Sequence, residues 1–185
     1  MFRLIIKLIF ILDFNYFGDD WLTVAEKAAP HCDRIWFRIK GRTDREISEY
    51  ALRLRKKLPQ KTLILSERAD IAKCAGFEGV HLNSCTMPPS AVKRYFPDLT
   101  VGYSAHSPRE CMLTGADYVT LSPVLHTEKG YEVSPLGVIP APAAGVYALG
   151  GINADTAGLF KGLGYEGVAG IRLFSDIEKM RNILS

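Results

Sequence analysis

Short apolar runs recur along this chain roughly every 20 residues, each followed by a polar loop and then, in most cases, by a stretch with helical spacing. The runs fall at 5–12, 33–40, 62–66, 79–82, 99–103, 117–121, 145–149 and 167–171, and Val80, Val101, Val119, Val146 and Val168 mark the centres of five of them. So short a period leaves room only for a minimal strand–helix unit. The intervening segments carry helix signals. Ile47, Tyr50, Ala51, Leu54 and Leu58 are spaced for one helical face, with Thr43 or Asp44 as the cap and Arg55, Lys56 and Lys57 at the C-terminal end. Further helices are predicted over 21–29, over 69–75 with Gly76 closing it, over 88–95, from Ser107 and Pro108 to Gly115, from Asn153 to Gly162 or Gly164, and over 177–184. Residues 13–20 read as a polar turn.

Eight strands, nearly all followed by helices, predict a parallel α/β fold, and their natural sum is one compact (β/α)8 TIM barrel domain spanning 1–185. Such barrels usually have about 200 residues or more, so an element should be missing. The gap falls at 134–145 (SPLGVIPAPAAG), where three prolines forbid a regular helix. The sixth helix is therefore expected to be shortened or absent, leaving an apolar flank that a second copy of the chain could cover as a homodimer. An open doubly wound sheet is the alternative, but it usually has fewer strands, and no G-x-G-x-x-G follows the first strand.

Composition narrows the class. The chain has 185 residues, 48% of them hydrophobic, and its 23 basic and 20 acidic residues give a net charge of +3 spread along the sequence. That balance makes no case for nucleic acid and suits a small anionic substrate. The apolar start at 4–12 (LIIKLIFIL) is interrupted by Lys7 and is far shorter than the ~20 residues of a membrane span. With no small-residue cleavage pattern after it, it is expected to be a buried strand. The four cysteines show no C-x-x-C spacing, so reduced thiols and a cytoplasmic location are expected.

Candidate chemistry lies just after strand ends, where parallel barrels carry it. In 33–40 (DRIWFRIK), alternation places Trp36, Arg38 and Lys40 on one face, aiming both cations at the barrel mouth. They could bind a substrate phosphate or diphosphate, or form an internal ion pair, for instance with Glu67. In Leu149–Asn153 (LGGIN), Gly150 and Gly151 precede a cap residue, and with Gly170, Ile171 and Arg172 they form the expected phosphate cradle after strands seven and eight. Ser104 and His106 follow the fifth strand, while His126 and Lys129 lie in the loop after the sixth. The two histidines are the acid–base candidates, and Lys129 is a candidate ligand contact. His81, inside the fourth strand, and His31 read as core or surface residues, and Cys85 has no base fixed beside it.

The motifs FRIK, GVHLN, VGYSAHS, ADYVTLSPV followed by HT, LGGIN and GVAGI occur in that order. Together they resemble the family of thiamin phosphate synthase and its relative TenI, a thiazole tautomerase. The resemblance implies a (β/α)8 barrel that binds thiazole phosphate at Gly150, Gly151, Ile171 and Arg172. For a synthase it implies Mg²⁺ and a diphosphate held by Arg38, Lys40 and Lys129, with Ser104 matching the family's serine. The family's glutamine two residues before the arginine is Trp36 here, its Asn-Asp-Arg after strand three reads Ser66, Glu67 and Arg68, and its second metal-binding aspartate reads Thr86. Only Glu67 is left as a metal ligand. These departures point first to a TenI-like tautomerase, needing no metal, with His126 or His106 moving the proton; TenI's own histidine position holds Pro123. The alternatives are a divergent synthase using Mg²⁺, and a barrel that binds thiazole or thiamin phosphate without catalysis.

Overall fold

The protein is described by a computed structural model over residues 6–127 and 134–185. Eight parallel strands close a barrel in chain order: β1 (Lys7–Asp13), β2 (Arg34–Arg38), β3 (Thr62–Ser66), β4 (Gly79–Leu82), β5 (Thr100–Ala105), β6 (Tyr118–Leu121), β7 (Val146–Leu149) and β8 (Gly167–Gly170). Closure is made by β1, which pairs Ile9 with Arg34 of β2 and Lys7 with Gly167 of β8. The α-helices are α1 (Phe14–Phe17), α2 (Trp21–Ala28), α3 (Asp44–Lys57), α4 (Ala69–Cys74), α5 (Pro89–Tyr95), α6 (Pro108–Leu113) and α7 (Ile177–Leu184). Among the described residues no helix is long and apolar enough to cross a membrane.

The strand pleat creates two cores. Leu8, Phe10, Leu12, Ile35, Phe37, Leu63, Leu65 and Val80 belong to a large cluster shared with the helices, such as Ile47, Ala51 and Leu54 of α3. The residues between them point inward, where Ile9, Ile11, Trp36, Ile64, Tyr118, Tyr147 and Ala169 fill the barrel as a separate cluster. The start of α3 is the expected one. Thr43 Oγ1 accepts from the Glu46 N–H at 3.3 Å while Glu46 Oε2 accepts from the Thr43 N–H at 2.8 Å, a complete capping box.

A repeated clasp fixes the N-terminal face. The N–H of Leu8 donates to Asp33 Oδ2 at 2.7 Å, and the Asp33 N–H donates back to the Leu8 carbonyl at 2.8 Å. Glu78 does the same with Leu63 (2.7 and 3.0 Å), and Asp117 with Val101 (2.8 and 2.7 Å). Each acid immediately precedes an even strand, takes the N–H of the second residue of the odd strand before it, and holds a cation from a helix: Arg181, Arg55 and Lys93 respectively. Charge-assisted bonds of this kind are stronger than neutral ones, so they fix strand register where no catalytic loop is needed.

Three local expectations change. Residues 13–20, read as a turn, form α1 followed by a 3-10 turn, because Asp13 Oδ1 accepts from the N–H groups of Asn15 and Tyr16, both at 3.0 Å. Asn153 does cap, with Oδ1 accepting from Asp155 and Thr156 N–H, but only a 3-10 segment at Ala157–Phe160 follows. Gly158, Gly162 and Gly164 leave too little helix propensity for an α-helix there. Residues 134–145 hold no helix, as expected, yet they do not leave the flank bare. Leu136, Ile139, Ala141 and Ala143 pack against the outer core, tied by Leu136 N–H to the Pro123 carbonyl (2.9 Å) and Ala141 N–H to that of Leu163 (2.8 Å).

Candidate active site

On β1, β2, β3, β5 and β6 the inward positions nearest the C-terminal ends are polar (Asp13, Arg38, Ser66, Ser104 and Thr120), and they build on a stacked pair below them. The Trp36 and His81 rings lie 3.7 Å apart between centroids at 28°. Trp36 Nε1–H donates to Ser66 Oγ at 2.8 Å. His81 Nδ1 lies 2.9 Å from Tyr118 Oη, and its Nε2 lies 3.0 Å from Ser104 Oγ and 3.4 Å from Thr120 Oγ1. Four strands, β2, β4, β5 and β6, thus meet through one imidazole, and Ser66 adds β3 through Trp36. Burial pulls the His81 pKa down to about 3, so the ring is neutral. Gly102 makes the arrangement possible, because a Cβ there would stand 2.2 Å from Tyr118 Cζ and 2.5 Å from His81 Nδ1.

The cation of β2 sits at the strand end as alternation requires. Arg38 forms an ion pair with Asp13, whose other oxygen caps α1, and its side chain remains 33% exposed. Its partner is therefore Asp13 across the β1–β2 ladder, where the two residues are paired in register, and not Glu67. Lys40 lies two residues beyond the end of β2 and is exposed. Glu67 takes a left-handed backbone conformation (φ 69°), uncommon for a non-glycine residue, and its Oε1 accepts from Asn83 Nδ2 at 2.8 Å.

Across the barrel, the β6 and β7 loops are pressed together. The N–H groups of Val124 and Leu125 donate to the carbonyls of Leu149 and Gly150 at 3.0 and 3.1 Å. Gly151 needs its hydrogen twice over: φ is 69°, and a Cβ would meet the His126 carbonyl at 2.3 Å. The N–H groups of Gly150 and Gly151 have no acceptor among the described residues. Ile171 packs against the interior cluster, and Arg172, exposed, opens the 3-10 segment Arg172–Asp176. Of the two expected acid–base histidines, His126 is exposed, and its imidazole makes no hydrogen bond to a described residue. His106 is also exposed but is held, with Nδ1–H donating to the Ser122 carbonyl at 2.9 Å. Lys129 falls outside the described residues.

This mouth, with a fixed arginine on one side and a glycine turn with free N–H groups on another, can be compared with known proteins. Residues 8–174 match the family model described as thiamine monophosphate synthase. The chain belongs to that family. It is 35% identical to a putative thiamine-phosphate synthase 2 of Aquifex aeolicus, over 91% of this chain and 97% of that protein. It is 28% identical to a thiamine-phosphate synthase of Methanococcus maripaludis, over 97% and 90%. Among solved structures, thiamine phosphate pyrophosphorylase from Pyrococcus furiosus superposes with a TM-score of 0.81 at 26% identity, covering 98% of this chain and 96% of that one. The relatives carry the synthase name, so they favour the synthase alternative over the tautomerase expected first.

Membership of the thiamine monophosphate synthase family raises the question of Mg²⁺. The described donors do not by themselves make a resident site, since among the described residues no three of His, Cys, Asp and Glu come together. Glu67 is one carboxylate already bonded to Asn83. Thr86, at the position of the second family aspartate, closes a turn instead, its Oγ1 accepting from Asn83 N–H at 3.0 Å and donating to the Asn83 carbonyl at 2.8 Å. Two residues of the mouth were missed by sequence reasoning. The sequence reads Asp13 as part of a turn, although an acid ending an apolar strand is itself a signal. The sequence places His81 as a core or surface residue; it is buried, and its contact with Ser104 is what that reading omits.

Proposed function

We propose that the chain is a divergent thiamine-phosphate synthase, joining an aminopyrimidine methyl diphosphate to thiazole phosphate. The observation that carries this reading is the Arg38–Asp13 pair at the end of β2. A guanidinium oriented by a carboxylate and still partly exposed is suited to diphosphate oxygens, and exposed Lys40 adds a second charge beside it. In the reaction the methylene–oxygen bond breaks and its electron pair leaves with the diphosphate, while the thiazole nitrogen forms the new bond to the methylene carbon. Arg38 and Lys40, with Lys129 as a further cation, stabilise the charge that develops on the leaving oxygens. The free N–H groups at Gly150 and Gly151, with Ile171 and Arg172, take the phosphate of the thiazole, and Ser104 donates to the pyrimidine. Mg²⁺ would arrive on the diphosphate, as it commonly does where protein carboxylates are few. Four free cysteines suit the cytoplasmic location expected of such an enzyme.

A second reading, isomerisation of thiazole phosphate carboxylate, is favoured by His106, whose fixed Nδ1–H leaves Nε2 as a free base. The two are separated by incubating the protein with thiazole phosphate and the pyrimidine diphosphate, with and without Mg²⁺, and separately with thiazole phosphate carboxylate alone, and following products by ³¹P NMR. Formation of thiamin phosphate with equal diphosphate is expected, and Arg38→Met should lower kcat/KM by about a hundredfold. Isomerisation of the carboxylate that stops in His106→Asn, with no diphosphate released, would instead establish the second reading.

A further inference from the structure

The geometry points to His81 as a positioning residue that presets the Ser104 hydroxyl as a hydrogen-bond donor to substrate, through a ring tautomer fixed by Tyr118. This rests on the proposed reading only in taking Ser104 as a substrate contact. Tyr118 is 4% exposed, and among the described residues the only hydrogen-bond partner of its hydroxyl is His81 Nδ1, at 2.9 Å. A buried phenol whose proton meets no acceptor is costly, so the hydroxyl donates and Nδ1 accepts. A neutral imidazole accepting at Nδ1 carries its proton on Nε2. That Nε2–H is 3.0 Å from Ser104 Oγ and 3.4 Å from Thr120 Oγ1, so Ser104 is the nearer acceptor. Ser104 then keeps its own proton, which has no acceptor among the described residues, and the half-buried hydroxyl offers it to the mouth.

The opposite tautomer reverses every polarity in the chain. Nδ1–H would donate to Tyr118 and orphan the phenol proton, Ser104 would give its proton to Nε2, and the substrate would meet only serine lone pairs. The ring cannot turn out of this arrangement, since Trp36 stacks on its face and the contact with Tyr118 occupies the space left by Gly102. Among the described residues no carboxylate or cation hydrogen-bonds to the imidazole. Arg34 lies over the Tyr118 ring, 5.3 Å from its centroid. A hydroxyl preset in this way pays no reorganisation when substrate binds.

The test begins with the ligand-free protein, labelled with ¹⁵N and examined by long-range ¹H–¹⁵N correlation of the histidine rings. His81 should show its proton on Nε2, and a ring protonated on Nδ1 overturns the inference. In Tyr118→Phe, a near-isosteric change, the single tautomer should give way to a mixture; an unchanged spectrum overturns the role of Tyr118. In turnover of the pyrimidine diphosphate with thiazole phosphate, Tyr118→Phe and Ser104→Ala should each lower kcat/KM on the order of tenfold. The double variant should be no slower than Ser104→Ala alone, whereas additive losses would mean that Tyr118 acts only through core packing and would overturn the inference. If the wild-type protein makes no thiamin phosphate, the proposed function fails, and the ring spectrum alone decides this inference.

Discussion

At the scale of single residues, the site depends on one hydrogen atom as much as on any functional group. Gly102 lies in an apolar run that sequence reasoning treats as an ordinary strand, yet its missing Cβ is the space in which His81 meets Tyr118. Gly102→Ala should therefore destabilise the protein by about 1–3 kcal/mol, the usual cost of overpacking a rigid core, and should shift the His81 ring signals. Urea unfolding gives the first and NMR the second; a variant of wild-type stability would mean that the interior can yield. The cations were more legible than the glycine. Alternation around Trp36 is enough to put Arg38 at the mouth, but nothing in a period of two says that Asp13 faces it, because that depends on the register between β1 and β2. For the same reason Glu67, as close in type and as near a strand end, was an equally good partner on paper.

At the scale of elements, the strands were readable because each is a short apolar run bounded by polar residues, and β3, β4 and α7 have the boundaries their patterns predict. What failed was local and chemical: α1 begins on an Asp13 cap hidden in a polar stretch, and the Asn153 cap is followed by too many glycines to hold an α-helix. The acidic residue before each of β2, β4 and β6 was also visible in the sequence but reads as surface charge until the barrel closes. Glu78 is the clearest of the three. It accepts from the Leu63 N–H, and both its oxygens accept from Nη2 of Arg55, whose Nη1 in turn donates to the carbonyls of Leu58, Pro59 and Lys61. Glu78→Ala frees a strand N–H and breaks the tie between α3 and β4. A loss of about 1–3 kcal/mol in urea unfolding is expected, with activity per folded molecule unchanged, since the clasp is at the opposite end of the barrel from the mouth.

For the whole molecule, the buried imidazole makes stability depend on pH. His81 has an ordinary pKa near 6.5 in the unfolded chain but about 3 in the folded one, because burial disfavours its charged form. Between those values the unfolded state binds a proton that the folded state refuses, so stability rises with pH across this window and is lost as pH falls below about 6.5. The slope from one such group is at most about 1.4 kcal/mol per pH unit. Carboxylates also titrate at the acid end, so the measurement is a difference: unfolding free energies of the wild type and of His81→Gln at several pH values from 7 to 4. The variant starts less stable, having lost the stack on Trp36 and the bond to Tyr118, but its stability should fall less steeply with acid. Curves that run parallel would show that His81 takes up its proton in the folded barrel. The same ring would then carry a charge through the centre of the molecule, and the orientation of Ser104 would change with it.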